Sequence, residues 1–195
     1  TDSGVHARAQ HAHFTTDIHS IPAERFTQAL NGTLPRDVRI ISSWEVPDSF
    51  HARYRAVLRE YRYKLTFGSA DPILERSSLR VSCIPDLMLL NRYAGVITGN
   101  HDFSAFTAAG DASAKRVRCI GGACWLPEGE GITFRIWGKS FLWKMVRSLV
   151  GTMLELERER APVSVMQLIL DSCDREQAGM TAPAQGLHLW RIVYE

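Results

Sequence analysis

The segment Thr1-Asp2-Ser3-Gly4-Val5-His6-Ala7 sets a carboxylate between two small hydroxyl residues, two positions before a glycine. Two roles fit that arrangement. Asp2 can close a turn or cap a helix through its own side chain, as Asp beside Gly commonly does. It can instead be a carboxylate held on a tight loop for nucleophilic or general-base work. Histidines follow at positions 6, 11 and 13. His11 and His13 share one face if their segment is a strand, as a metal pair would. No acidic third ligand stands at close spacing, so solvated or phosphate-facing imidazoles are the better reading and no metal is expected.

A second group lies in Arg59-Glu60-Tyr61-Arg62-Tyr63, just after Phe50-His51-Ala52-Arg53. A strand puts Arg59, Tyr61 and Tyr63 on one side. Rings between arginines suit a nucleic-acid base stacked beside its charged backbone. Cross-strand packing of two tyrosines explains the same pattern. A third group is Lys144 and Arg147, three apart and therefore neighbours on a helix surface. Arg147 falls at the edge of an apolar stripe, where it either finds a carboxylate or snorkels to water. Gly138-Lys139-Ser140 imitates the end of a phosphate-binding loop, but the glycine spacing before it is wrong for nucleotide hydrolysis.

These residues need a scaffold, and the periodicities supply one. Residues 9–15 and 38–46 are expected as strands, 22–31 as a helix and 47–52 as a connector. Residues 57–67 alternate with a period of two and predict a long antiparallel strand. A helix is expected over 86–97, closed by Gly99. A hairpin is expected over 116–125 and 131–137, turning at 127–131. Helices over 141–156 and 162–171 and a strand over 187–194 complete the chain. Hairpins recur and β-α-β alternation does not, so the fold class is α+β with antiparallel sheet.

Composition narrows the function. The chain has 195 residues, 45% hydrophobic and 23% charged, which excludes a disordered chain. No apolar run approaches the length of a membrane span, and no leader for secretion is read at the start. The four cysteines, at 83, 119, 124 and 173, form no C-x-x-C pair, so free thiols in a reducing compartment are expected. Net charge is only +2, but lysine occurs only at 64, 115, 139 and 144, so 19 of the 23 cationic residues are arginine. Residues 51–64 hold five cationic residues against Glu60 alone, and Arg135, Lys139, Lys144 and Arg147 form a second acid-free stretch. Such unevenness gives a nearly neutral protein a basic face.

Taken together, these motifs resemble the tRNA pseudouridine synthase A family. The resemblance is carried by the Asp2 segment, Phe50-His51-Ala52-Arg53, the Tyr61 segment and Gly99-Asn100-His101-Asp102-Phe103-Ser104-Ala105-Phe106. Phe141-Leu142 with Met145-Val146-Arg147 and Gly151 adds to it, as does Ala182-Pro183-Ala184 with Gly186-Leu187. The motifs run in the family's order from end to end. The resemblance implies a pseudouridine synthase fold: two similar halves with antiparallel sheets, flanked by helices around an RNA-binding cleft. The halves are expected at 1–53, carrying the aspartate loop, and 54–195, carrying the tyrosine strand and the basic helix. It also implies a cytoplasmic homodimer that converts uridines at positions 38 to 40 of the tRNA anticodon arm into pseudouridine, with no cofactor and no metal. The family's invariant aspartate falls on Asp2, its uracil-stacking tyrosine on Tyr61, and the arginine that pairs with the aspartate on Arg147. Leu187 lies in the pocket-lining segment, and charge suggests Lys144 and the first basic stretch as phosphate contacts.

Thr1 is not read as a translation start. Family members carry an arginine two residues before the aspartate, preceded by a strand and a helix, so a missing N-terminal piece is expected. Three hypotheses follow. An isomerase requires Asp2, Tyr61 and Arg147 to meet. A non-catalytic tRNA-binding fragment would bind tRNA in a salt-dependent way, indifferent to Asp2. A metal-dependent hydrolase would be built on His6, His11 and His13.

Overall fold

The long alternating segment becomes the spine of a sheet. A computed structural model of the chain describes residues 1–69 and 71–195. In it β2, Ala56–Thr66, pairs antiparallel along eight residues with β6, Gly131–Gly138. This register sets Tyr61 opposite Ile136, Tyr63 opposite Phe134 and Leu65 opposite Ile132. Tyr63, Leu65, Phe134, Ile136 and Ile132 are buried on that face, where β-branched and aromatic side chains pack across the ladder. Glu60 and Arg62 lie on the opposite face with Arg135, and there Arg62 and Arg135 both pair with the Glu60 carboxylate.

The remaining strands are β1, His6–Ala7; β3, Leu79–Arg80; β4, Gly99–Asp102; β5, Val117–Glu128; and β7, Leu187–Tyr194. The order is β1-β7-β2-β6-β5-β4, with β3 paired to the end of β2. β5 and β6 form the expected hairpin, but Pro127 lies within β5 and the turn narrows to Gly129 and Glu130. The sheet is mixed rather than wholly antiparallel, because β1 runs parallel to β7 and β3 parallel to β2. Both exceptions are two-residue strands, too short to show a period in the sequence. β4 was likewise not expected as a strand: Gly99, taken as a helix stop, is its first residue.

Three helices accompany the sheet: α2, Leu87–Val96; α3, Met145–Arg158; and α4, Val163–Ser172. Asp86 caps α2 by accepting from the Met88 and Leu89 amides, both at 3.0 Å. α3 begins at Met145, later than the expected 141. Lys144 takes up a left-handed backbone, φ 60°, which helical geometry cannot include. Leu90, Tyr93, Met145, Leu149 and Met153 join the buried sheet residues in one core. Each such side chain contributes about 1.5–3 kcal/mol when taken out of water.

The chain divides into two units, Thr1–Gln10 with Ala56–Glu195, and His11–Arg55. This differs from the division at 53/54 expected from the sequence. The first ten residues join the larger unit because β1 adds to the edge of its sheet. The smaller unit holds a single-turn 3-10 helix, Ala23–Arg25, followed by α1, Phe26–Asn31. The strands expected at 9–15 and 38–46 do not form. The Arg8 and Ala9 amides both donate to the Leu189 carbonyl, at 2.9 and 3.3 Å, which ends the pairing to β7. In 38–46 the Ile40 amide and carbonyl are met by the two ends of the Asn31 side-chain amide, at 2.8 and 2.9 Å. Its β-branched residues look like a strand, but strand propensity is realised only against a partner strand.

Candidate active site

Asp2 and Arg147, 145 positions apart, meet. The Asp2 Oδ2 accepts from Arg147 Nη1 at 3.0 Å, and both side chains are largely withdrawn from water, 19% and 14% exposed. The local sequence explains how. Asp2 to Val5 forms a turn closed by the Val5 amide donating to the Asp2 carbonyl at 3.1 Å. Gly4 takes φ +80°, which an L side chain resists. The turn is thus closed by backbone, and the Asp2 carboxylate is turned to the guanidinium. β1 then fixes the loop: His6 pairs with His188 and Ala7 with Leu189.

Arg147 comes from the first turn of α3, where the helix macrodipole disfavours a cation. A carboxylate partner offsets that cost. Two further bonds set the guanidinium. Arg147 Nε donates to the Ala182 carbonyl at 2.8 Å, and the Ala182 amide donates to the Arg147 carbonyl at 3.1 Å. The strap over 180–186 therefore runs against the start of α3. Gly151 permits this approach, since a methyl group there would fall on the Met180 carbonyl oxygen.

Tyr61 completes the group. It projects on the core face of β2, half-buried, with its ring edge-on to Phe141 at 5.1 Å between centroids. Burial pushes its phenol up, the Arg59 guanidinium draws it down, and the Asp2 carboxylate raises it again. Asp2 and Tyr61 therefore lie within electrostatic reach of each other. Leu187 opens β7 opposite Tyr63, buried beneath the same face.

The other candidate residues are placed differently. Arg62 pairs with Glu60 at 3.0 Å and with Glu128 at 3.5 Å, and its guanidinium covers the Trp190 ring at 4.0 Å. Arg59 donates to the Lys139 carbonyl at 2.5 Å. Lys144 sits over the Trp143 ring at 4.8 Å. His11 and His13 fall in the smaller unit. There His11 meets Trp44 edge-on, and His13 meets Phe50 edge-on and lies tilted against His51. His6 is in the larger unit, stacked on His188 at 4.9 Å. Among the described residues no three His, Cys, Asp or Glu side chains are grouped as metal ligands, and no helix is long and apolar enough to cross a membrane. The four cysteines are free thiols.

The histidine stack braces the aspartate loop. His6 Nε2 lies 2.9 Å from the Arg76 carbonyl, and His188 Nε2 lies 2.8 Å from the Ser77 carbonyl, so each ring donates to a neighbouring backbone oxygen. Burial pushes His188 below the usual imidazole value. The Ser77 bond and Glu128 pull it up, while His6 and Lys64 push it further down. An unfolded imidazole titrates near ~6.5. Below that pH, and down to the lowered folded value, the unfolded chain binds more protons. His188 therefore contributes stability that is present above this window and lost as pH falls through it. The urea midpoint is expected to fall between pH 7.5 and 5, and His188→Asn is expected to narrow the difference. An equal difference in the variant would contradict this.

The strap and the histidine brace were not apparent in the sequence. The family resemblance marks Ala182-Pro183-Ala184 and Gly186 as a motif without giving them a role, because the strap, which ends in a 3-10 turn over Ala184–Gly186, acts on Arg147 through backbone atoms. Comparison with known proteins identifies the family. The profile of the family described as tRNA pseudouridine synthase matches residues 94–195. The tRNA pseudouridine synthase A of Treponema denticola is 44% identical over 195 residues, all of this chain and 73% of the relative. That of Bacillus subtilis is 38% identical over 196 residues, all of this chain and 79% of the relative. That of Halalkalibacterium halodurans is 41% identical over 188 residues, 96% of this chain and 71% of the relative. The family profile spans half the sequence and the relatives span the whole of it, so the chain belongs to the tRNA pseudouridine synthase family.

Proposed function

We propose that this chain is a tRNA-uridine isomerase, with Asp2 as the catalytic carboxylate, Arg147 as its orienting partner and Tyr61 as the ring that stacks on the target uracil. The observation that carries the reading is the 3.0 Å pair between Asp2 and Arg147, within electrostatic reach of a half-buried tyrosine. The pair supports a carboxylate aimed by a charge-assisted hydrogen bond.

The reaction breaks the N1–C1′ bond of uridine and forms a C5–C1′ bond. C5 loses its proton and N1 gains one, so the product is an isomer and no electrons are exchanged. The carboxylate acts on the ribose or the uracil, by attack on carbon or by removing the C2′ proton. The target base must leave its stack, and a ring at Tyr61 replaces the stacking it loses. The detached uracil then turns over within the site before it rejoins the sugar.

With this reading come the family's two-halved fold with an RNA-binding cleft, a homodimer, a cytoplasmic location and the anticodon arm as target. Position is the testable part. Unmodified tRNA carrying uridines at 38, 39 and 40 is incubated with the chain, and pseudouridine is mapped by carbodiimide-dependent primer-extension stops. Stops confined to 38 to 40 are expected. Stops only elsewhere would contradict the assigned target. Binding of tRNA without any stop would favour a tRNA-binding fragment.

A further inference from the structure

Tyr63 is the most deeply buried polar ring in the neighbourhood of the site, and the mechanism above does not use it. It is fully buried, two residues along β2 from Tyr61. Its hydroxyl donates to the Pro183 carbonyl at 2.8 Å. Burial pushes its phenol well above the usual tyrosine value, against the lowering effect of Arg147, so the hydroxyl keeps its proton and remains a donor. Gly186 lies flat on the ring, since a methyl group there would fall 2.6–2.9 Å from the ring carbons and the hydroxyl oxygen.

The strap held by Tyr63 touches Arg147 and the loop that carries Asp2. Ala182, next to Pro183, bonds Arg147 twice through its carbonyl and amide. Ala184, on the other side, packs against the aspartate loop: a methyl on Gly4 would meet the Ala184 Cβ at 3.2 Å. Pro183 has no amide hydrogen and a fixed φ, so its carbonyl is a stiff point of attachment. A chain of contacts thus runs from the Tyr63 hydroxyl through Pro183 and Ala182 to the Arg147 guanidinium and Asp2.

We infer that Tyr63 is a positioning residue for uridine isomerisation, acting through the 182–184 strap to hold Arg147 where it can orient Asp2. This deepens the isomerase reading and rests on it. A displacement of about 1 Å at a reacting group costs up to about 100-fold in rate, so losing one anchor of the strap is expected to be felt in turnover rather than in tRNA binding.

The test compares wild type, Tyr63→Phe, Arg147→Lys, the double variant and Asp2→Asn as full chains with unmodified tRNA. Tyr63→Phe is expected to lower kcat about 10-fold with KM unchanged, the signature of an interaction that matters after binding. Arg147→Lys keeps a cation but removes the Nε donor to Ala182. Adding Tyr63→Phe to it is expected to cost less than 3-fold more, because residues acting through one contact are not additive. An independent readout is the Arg147 Nε–H signal in 15N-labelled protein. It is expected to exchange slowly with solvent in wild type and at least 10-fold faster in Tyr63→Phe, even where the variant's thermal midpoint has fallen. Unchanged kcat, multiplicative loss in the double variant, or unchanged Nε–H exchange would each overturn the inference while Asp2→Asn remains inactive. A wild type that makes no pseudouridine overturns the isomerase reading and the inference with it.

Discussion

Asp2→Asn is expected to lower pseudouridine formation by at least about 10³-fold while the variant still binds tRNA. A positioned carboxylate that acts as nucleophile or base supplies rate factors of that order, and an amide is neither. Asparagine has nearly the same shape, so the turn through Gly4 and the β1 ladder persist. Its carbonyl oxygen can still accept from Arg147, now without charge assistance. The cost to stability is therefore about 1 kcal/mol. The measurement is the single-turnover rate of pseudouridine appearance by nucleoside chromatography, with filter binding of tRNA alongside. A variant that keeps more than a tenth of the wild-type rate would remove Asp2 from the chemistry.

Arg147→Met carries the second large effect. Methionine suits the helix and the apolar edge of α3, but it leaves two polar groups without their partner. The Asp2 carboxylate, 19% exposed, loses its cation, and the Ala182 carbonyl loses the Nε donor. Leaving such groups unsatisfied costs about 1–3 kcal/mol each, so a clear drop in the urea midpoint is expected. The rate is expected to fall about 100-fold, because the carboxylate remains but is no longer aimed. Combined with Asp2→Asn, the rate losses should not multiply, since an arginine that works only through Asp2 has nothing left to orient. Multiplicative losses would mean that Arg147 serves the reaction by another route.

The site was legible in the sequence to a considerable extent, and the reasons are physical. An arginine at the edge of an apolar helical stripe finds a carboxylate or snorkels to water; the family resemblance points to Asp2 as its partner, and α3 delivers Arg147 there. The period of two through Arg59, Tyr61 and Tyr63 was enough to put the tyrosines on one face, and the β2–β6 register keeps it so. Charge was a poorer guide. Arg62 and Arg135 read as members of two basic stretches, yet Arg62 pairs with Glu128 of β5 as well as with Glu60 two residues before it, and Arg135 pairs with Glu60 from the neighbouring strand. Counting charges along the chain does not reveal neutralisation across a ladder. The segment 38–46 misled for a related reason. Val38, Ile40 and Ile41 have the side chains of a strand, but the Asn31 side chain takes the backbone groups of Ile40. The two-residue strands β1 and β3 and the strap over 180–186 act through backbone atoms, which every sequence shares.

The most direct test of the account is tritium release from tRNA made with uridine labelled at C5, because the isomerisation is the step that must expel that hydrogen. Wild type is expected to release tritium in proportion to the pseudouridine it forms, and Asp2→Asn to release none above background. Release that is equal in the two chains, or absent from wild type while tRNA is bound, would contradict the claim that this aspartate isomerises uridine in tRNA.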